Sequence, residues 1–185
     1  MGLLTALDAA ASGGPVLAGG ISLGAHLAAE WAVRHPGRCA GLLLAMPAWC
    51  GDPDDAPASL AARASADLVT RHGVAGALRL ATAGVAPWLA GELTRAWQRH
   101  GDGLAAGLRA AAAHPAPTPD ELASIEVPVG IAACTDDPVH PAGVAHAWAA
   151  ALPRAAVVET TLAALGADRE SLGRAALLAW LRAAG

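Results

Sequence analysis

The feature that most constrains this chain is the stretch from Val16 to Met46, where two short apolar runs flank a segment of helical periodicity. Val16 to Ile21 follows a proline and is too short for a helix, so it reads as a strand. Leu23, Leu27 and Trp31 then recur at helical spacing until His35-Pro36-Gly37 stops the helix. Ala40 to Met46 is apolar throughout, as a parallel strand buried on both faces must be. Strand, helix and strand joined this way predict a right-handed crossover unit. The turn inside that unit is Gly20-Ile21-Ser22-Leu23-Gly24. A turn this tight between strand and helix needs small flanking residues and holds the serine hydroxyl out at the carboxyl end of the sheet. The backbone N–H of Leu23, at the helix start, would point at a developing oxyanion.

A second unit of the same kind lies near the other end. Val127 to Cys134 reads as a strand, Val144, Trp148 and Leu152 as the buried face of a helix, and Ala155 to Thr160 as another strand. Asp168 is then placed to cap a last helix running through Leu181. A further short helix is expected over residues 3–11, before the turn at Ser12-Gly13-Gly14-Pro15. Between the two units, residues 51–124 show helical Ala/Leu patterning, several tryptophans and a proline-rich exit from His114 to Pro119. They read as an inserted helical lid, with residues 1–50 and 125–185 as the sheet-bearing core. Trp88 and Trp97 are assigned to the interior of the insertion.

Composition narrows the function by exclusion. With 55% hydrophobic residues, 15% charged residues and a formal net charge of -4, the chain can bury a core and lacks a basic stripe for nucleic acid. All 12 of its basic residues are arginine. Cys39, Cys50 and Cys134 are odd in number and far apart, which disfavours both a disulfide framework and a zinc site; they are expected reduced and mostly buried. No apolar run reaches membrane-spanning length, and no positively charged stretch opens the chain, so a cytoplasmic protein without a membrane partner is expected.

Pro15 to Trp49, reading PVLAGGISLGAHLAAEWAVRHPGRCAGLLLAMPAW, resembles the nucleophile elbow, following helix and next strand of the α/β-hydrolases, and Val127 to Ala155 resembles a later part of that fold. The resemblance implies a partial α/β-hydrolase sheet of about four parallel strands with flanking helices, plus an inserted helical cap. It assigns Ser22 as nucleophile. In the family a strand ends in a G-x-x-D-like pattern whose Asp orients the catalytic histidine. Here Cys134-Thr135-Asp136-Asp137-Pro138 puts Asp137 in the acid position, with cysteine where glycine is usual and Asp136 a solvated neighbour. Trp49 falls at the mouth of the implied pocket, where it either lines an apolar substrate site or packs cap against core. Serine at the elbow points to small esters, thioesters or lactones rather than to chemistry that needs a carboxylate nucleophile. No cofactor and no metal are implied.

Two features depart from the family pattern. The stretch Leu162 to Asp168, where the resemblance places the histidine, has Ala167 near that position, and no histidine follows His146. His140, in the loop that carries Asp137, is either a solvated loop histidine, the commoner case, or the candidate surrogate base. His146 projects away from the buried stripe of its helix, and His26 shares a helical side with Glu30 and Arg34, which reads as a polar face. His35, His72, His100 and His114 show no metal-ligand spacing. The resemblance also implies strands and a second oxyanion donor before the first helix. The chain therefore reads as amino-terminally truncated, with the elbow strand left as an exposed edge prone to self-association. Two functions are carried forward: a serine hydrolase, and a hydrolase-like module that binds a small apolar ligand or a protein partner without catalysis.

Overall fold

A computed structural model describes residues 2–185. Four strands, β1 (Val16–Ile21), β2 (Cys39–Ala45), β3 (Val129–Cys134) and β4 (Ala155–Thr160), form one sheet in the order β1-β2-β3-β4. All three pairings are parallel, with Ile21 opposite Ala45, Leu44 opposite Ile131, and Cys134 opposite Thr160. The four expected strands are present. Every residue of β3 is buried, as an apolar central strand covered on both faces requires.

Two helices fix the faces of this sheet. The helix α2 (Leu23–Arg34) packs against β1 and β2, and its innermost side is made of Ala25, Ala28, Ala29 and Trp31, all fully buried. Leu23 and Leu27 are only half-buried. Small alanines let the helix approach the sheet closely, so the larger leucines sit on its flank. The helix α1 (Leu3–Ala10) is tied to α2 by Asp8, whose carboxylate accepts hydrogen bonds from the Trp31 indole (3.2 Å) and from Arg38 (2.9 Å). The last helix, α9 (Ser171–Ala184), lies across β2, β3 and β4. Leu172, Ala175 and Ala176 of α9 form one apolar cluster with Ala132, Cys134 and Met46.

The connections differ from expectation in one place. After β4 the chain forms a short helix, α8 (Leu162–Ala167), that the sequence pattern does not announce. Asp168 consequently ends α8 instead of capping α9. Its carboxylate accepts the Glu170 N–H at 2.9 Å and pairs with Arg174, shaping the turn between the two helices.

The chain divides into two compact units, one of residues up to Asp52 together with Pro115–Gly185, the other Pro53–His114. The division falls inside the 51–124 span expected of the insertion. In the first unit, α6 (Pro119–Ala123) is opened by a reciprocal capping pair, Thr118 and Glu121, and α7 (Ala142–Ala151) connects β3 to β4. In the second unit, α3 (Pro57–Ala81, broken at Gly73), α4 (Pro87–His100) and α5 (Leu104–Ala113) enclose Val69, Ala77, Leu78, Trp97 and Leu104. Trp97 is buried and Trp88 half-buried. A buried hydrogen bond from the Ser59 hydroxyl to the Ala112 carbonyl, 2.8 Å, joins α3 to α5. No helix among the described residues is long and apolar enough to cross a membrane.

Candidate active site

The site begins with backbone geometry at the end of β1. Ser22 has φ 55° and ψ -120°, a left-handed conformation that a side chain bearing a Cβ adopts only under constraint. The constraint is double. Its N–H donates to the Ala45 carbonyl at 2.9 Å, continuing the sheet, while its carbonyl accepts from the N–H groups of Ala25 (2.9 Å) and His26 (3.2 Å), starting the helix. One residue thus ends a strand and opens a helix. The reversal forces Gly20 against Gly24: a Cβ on Gly20 would lie 2.2 Å from the Gly24 carbonyl carbon, whereas a Cβ on Gly24 would meet nothing within 4 Å. Of the two glycines bracketing the serine, the first is the one the turn requires. Leu23 is the first residue of α2, where an N–H has no acceptor within the helix.

The partner of Ser22 comes from the other crossover. The His140 ring lies with Nε2 2.9 Å from Ser22 Oγ and Nδ1 2.9 Å from Asp137 Oδ2. Because an ionised carboxylate can only accept, the proton belongs on Nδ1, which leaves Nε2 free to accept from the serine hydroxyl. Asp137 also organises its own turn, its Oδ1 accepting the N–H groups of Val139 (2.8 Å) and His140 (3.3 Å). The side chains are largely enclosed, 8% exposed for Asp137 and 17% for His140. Burial pushes the Asp137 carboxyl up, but the hydrogen bonds from the His140 ring and from the Val139 N–H outweigh it and hold the group below the usual carboxylate range.

The fold around this arrangement has known counterparts. No protein-family model matches the sequence, and no curated protein does. An esterase from Thermogutta terrifontis, with malate bound, superposes with a TM-score of 0.71 at 21% identity, over 97% of this chain and 69% of its own. An α/β hydrolase enzyme from a Medee basin deep-sea metagenome superposes at 0.68 with 13% identity, over 94% of this chain and 69% of its own. A hydrolase from Pseudomonas aeruginosa superposes at 0.64 with 24% identity, over 97% of this chain and 69% of its own.

The chain has the α/β-hydrolase fold.

Along the chain Ser22, Asp137 and His140 follow one another in that order, with Asp137 and His140 in one turn. The stretch near Ala167, where the family pattern places the histidine, is helical. Cys134, in place of the usual glycine, is fully buried, and burial with the nearby Asp137 and Asp136 carboxylates pushes its thiol up to about 11, which keeps it protonated at neutral pH. Asp136 is exposed and accepts the Leu162 N–H at 2.6 Å, fastening the β3 exit to α8.

His26 differs most from its sequence reading, whereas for Trp49 the sequence leaves lining and packing both open. Trp49 is 7% exposed and its ring packs edge-on against His26, with centroids 4.8 Å apart. It lines neither of the two described surface cavities, and its surroundings are those of a core residue. His26 is not on a polar face: it is fully buried between Trp49 and Trp148, and its Nε2 accepts the Ala48 N–H at 2.9 Å. Sequence reasoning missed it because Glu30 and Arg34, one and two turns away, do pair with each other, Arg34 at the surface and Glu30 partly covered. Its immediate neighbours, Ala25 and Ala29, carried the opposite signal. His146 bonds the Glu159 carboxylate at 2.8 Å in an exposed pair.

Proposed function

We propose that this chain is a serine hydrolase acting on a small carboxylic ester, thioester or lactone. The single observation that supports this reading is the hydrogen-bonded line Ser22–His140–Asp137, with both links at 2.9 Å and the serine held in a strained elbow. In the proposed reaction Ser22 Oγ attacks the acyl carbon and its proton passes to His140 Nε2. Asp137 holds the ring in the required tautomer and stabilises the imidazolium that forms. The N–H of Leu23 donates to the carbonyl oxygen as it becomes an oxyanion, a role worth on the order of 10²- to 10³-fold in rate per donor. His140 returns the proton to the departing alcohol, thiol or lactone oxygen. Water, deprotonated by the same Nε2, then attacks the acyl carbon, and as the bond to Ser22 Oγ breaks His140 returns that proton to Oγ, releasing the acid. The chemistry asks for no cofactor.

A fluorophosphonate probe tests this directly. Wild type is expected to label covalently, Ser22→Ala not at all, and His140→Ala at a rate lower by on the order of 10³-fold or more, since nucleophile and base act as a unit. A well-folded wild type that stays unlabelled would replace the hydrolase with a non-catalytic binding module. Unchanged labelling in His140→Ala would remove His140 as base.

A further inference from the structure

The catalytic pair proposed above is assembled from two crossovers, Ser22 at the head of α2 and His140 one residue before Pro141, which leads into α7. A bond of 2.9 Å between side chains 118 residues apart needs something to set the spacing of those two helices. A buried cluster lies between them. The chain leaving β2 turns sharply at Met46, whose φ of 48° is left-handed without the excuse of glycine, and passes through the fully buried Pro47. This bend carries the Ala48 N–H to Nε2 of His26, 2.9 Å away. One residue on, the Trp49 carbonyl accepts the indole N–H of Trp148, also at 2.9 Å. The rings of Trp49 and Trp148 enclose the imidazole, with centroids 4.8 and 5.5 Å from it.

His26 sits one helical turn after Ser22, its own N–H bonded to the Ser22 carbonyl, and Trp148 lies on the helix that His140 precedes. The segment Ala48-Trp49 is therefore bonded on one side to the nucleophile's helix and on the other to the base's helix. Both bonds are fully enclosed, where a lost partner is not replaced by water. We propose that His26, acting through Ala48-Trp49 and Trp148, is a positioning residue that holds α2 and α7 at the spacing at which His140 meets Ser22. A backbone N–H can only donate, so His26 serves with Nε2 unprotonated, as an acceptor; it touches no reacting atom. The proposal rests on the hydrolase reading for its kinetic consequence but not for its structural one.

The test compares His26→Gln, which restores an acceptor at the reach of Nε2, with His26→Leu, which does not, and with Trp148→Phe, which deletes the indole donor while keeping a ring. Two readouts are taken on variants shown to be folded: the second-order rate of fluorophosphonate labelling, and the downfield proton resonance of the His140 Nδ1–H bonded to Asp137, assigned by its loss in His140→Ala. Displacing reacting groups by about 1 Å costs on the order of 10²-fold, so His26→Leu is expected to label 10- to 100-fold more slowly, with its resonance shifted or broadened. Trp148→Phe is expected to follow it, and His26→Gln to stay within a few-fold of wild type. Should His26→Leu fail to fold, Trp148→Phe against His26→Gln decides. Wild-type labelling with all variants unchanged in both readouts would overturn the clamp and leave the hydrolase standing. No labelling of wild type, with the resonance still moving in His26→Leu, would sink the hydrolase and leave the clamp.

Discussion

At the scale of single residues, the elbow shows how a short pattern can specify geometry unequally. Gly20 and Gly24 look equivalent on either side of Ser22, yet only Gly20 has backbone where its Cβ would go. Gly20→Ala is therefore expected to distort the turn and lower stability by at least the 1–3 kcal/mol typical of overpacking, with loss of Ser22 reactivity. Gly24→Ala, whose new methyl meets open space within α2, is expected to hold or raise stability by up to about 1 kcal/mol. Thermal unfolding of the two variants, with fluorophosphonate labelling of each, checks the opposite signs. The serine was legible in the sequence because strain at such a turn demands small neighbours. Asp137 was legible from its place at the end of β3, whereas His140 could be read only as a candidate, because a histidine in a loop is more often solvated and its contact with Ser22 depends on how two distant crossovers pack. His26 was not, since a histidine's environment depends on which loop arrives over it, and nothing in the α2 sequence announces that Ala48 does.

At the scale of elements, all four strands could be read from their short apolar runs; for β2 and β3 the reason is burial, since a parallel strand covered on both faces leaves no polar alternation to confuse with a helix. The six-residue α8 could not, being too short to display a helical period and opened by the Thr161 side chain on the Ala164 N–H and by the distant Asp136 carboxylate on the Leu162 N–H. The seating of α9 was also hidden. It depends on Gly130 of β3, where a Cβ would fall 2.2 Å from the Ala176 carbonyl oxygen and 2.3 Å from the Trp180 nitrogen. Helix and strand backbones meet there without an intervening side chain. Gly130→Ala is expected to lift α9 from the sheet at a cost of several kcal/mol, whereas Gly173→Ala, on the same helix but facing open space, should be neutral or slightly stabilising. At about 2–4 °C per kcal/mol for a chain of this size, the two melting temperatures should separate by roughly 5 °C or more.

At the scale of the whole molecule, the sheet has an asymmetry that bears on solution behaviour. β3 is buried throughout and β4 is half-covered, while β1 ends the sheet with Leu17 47% and Ile21 56% exposed. A parallel edge of this kind presents unpaired backbone groups beside apolar side chains, with no lysine, proline or bulged charge within the strand to discourage another strand. We propose that this chain self-associates through β1. Light scattering after gel filtration is expected to show a mass that rises with concentration, and Leu17→Lys, which places a charge on that edge, to shift it toward the monomer. Leu17 is suited to the test because it lies five residues before the nucleophile and outside the hydrogen-bonded line at Ser22, so labelling of Leu17→Lys reports whether the site survives. A wild type that stays monomeric at high concentration would count against an active edge. Association that persists unchanged in Leu17→Lys would move the interface to the exposed leucines of α9, Leu177, Leu178 and Leu181, which among the described residues are the other large apolar side chains the sheet-bearing unit leaves in water.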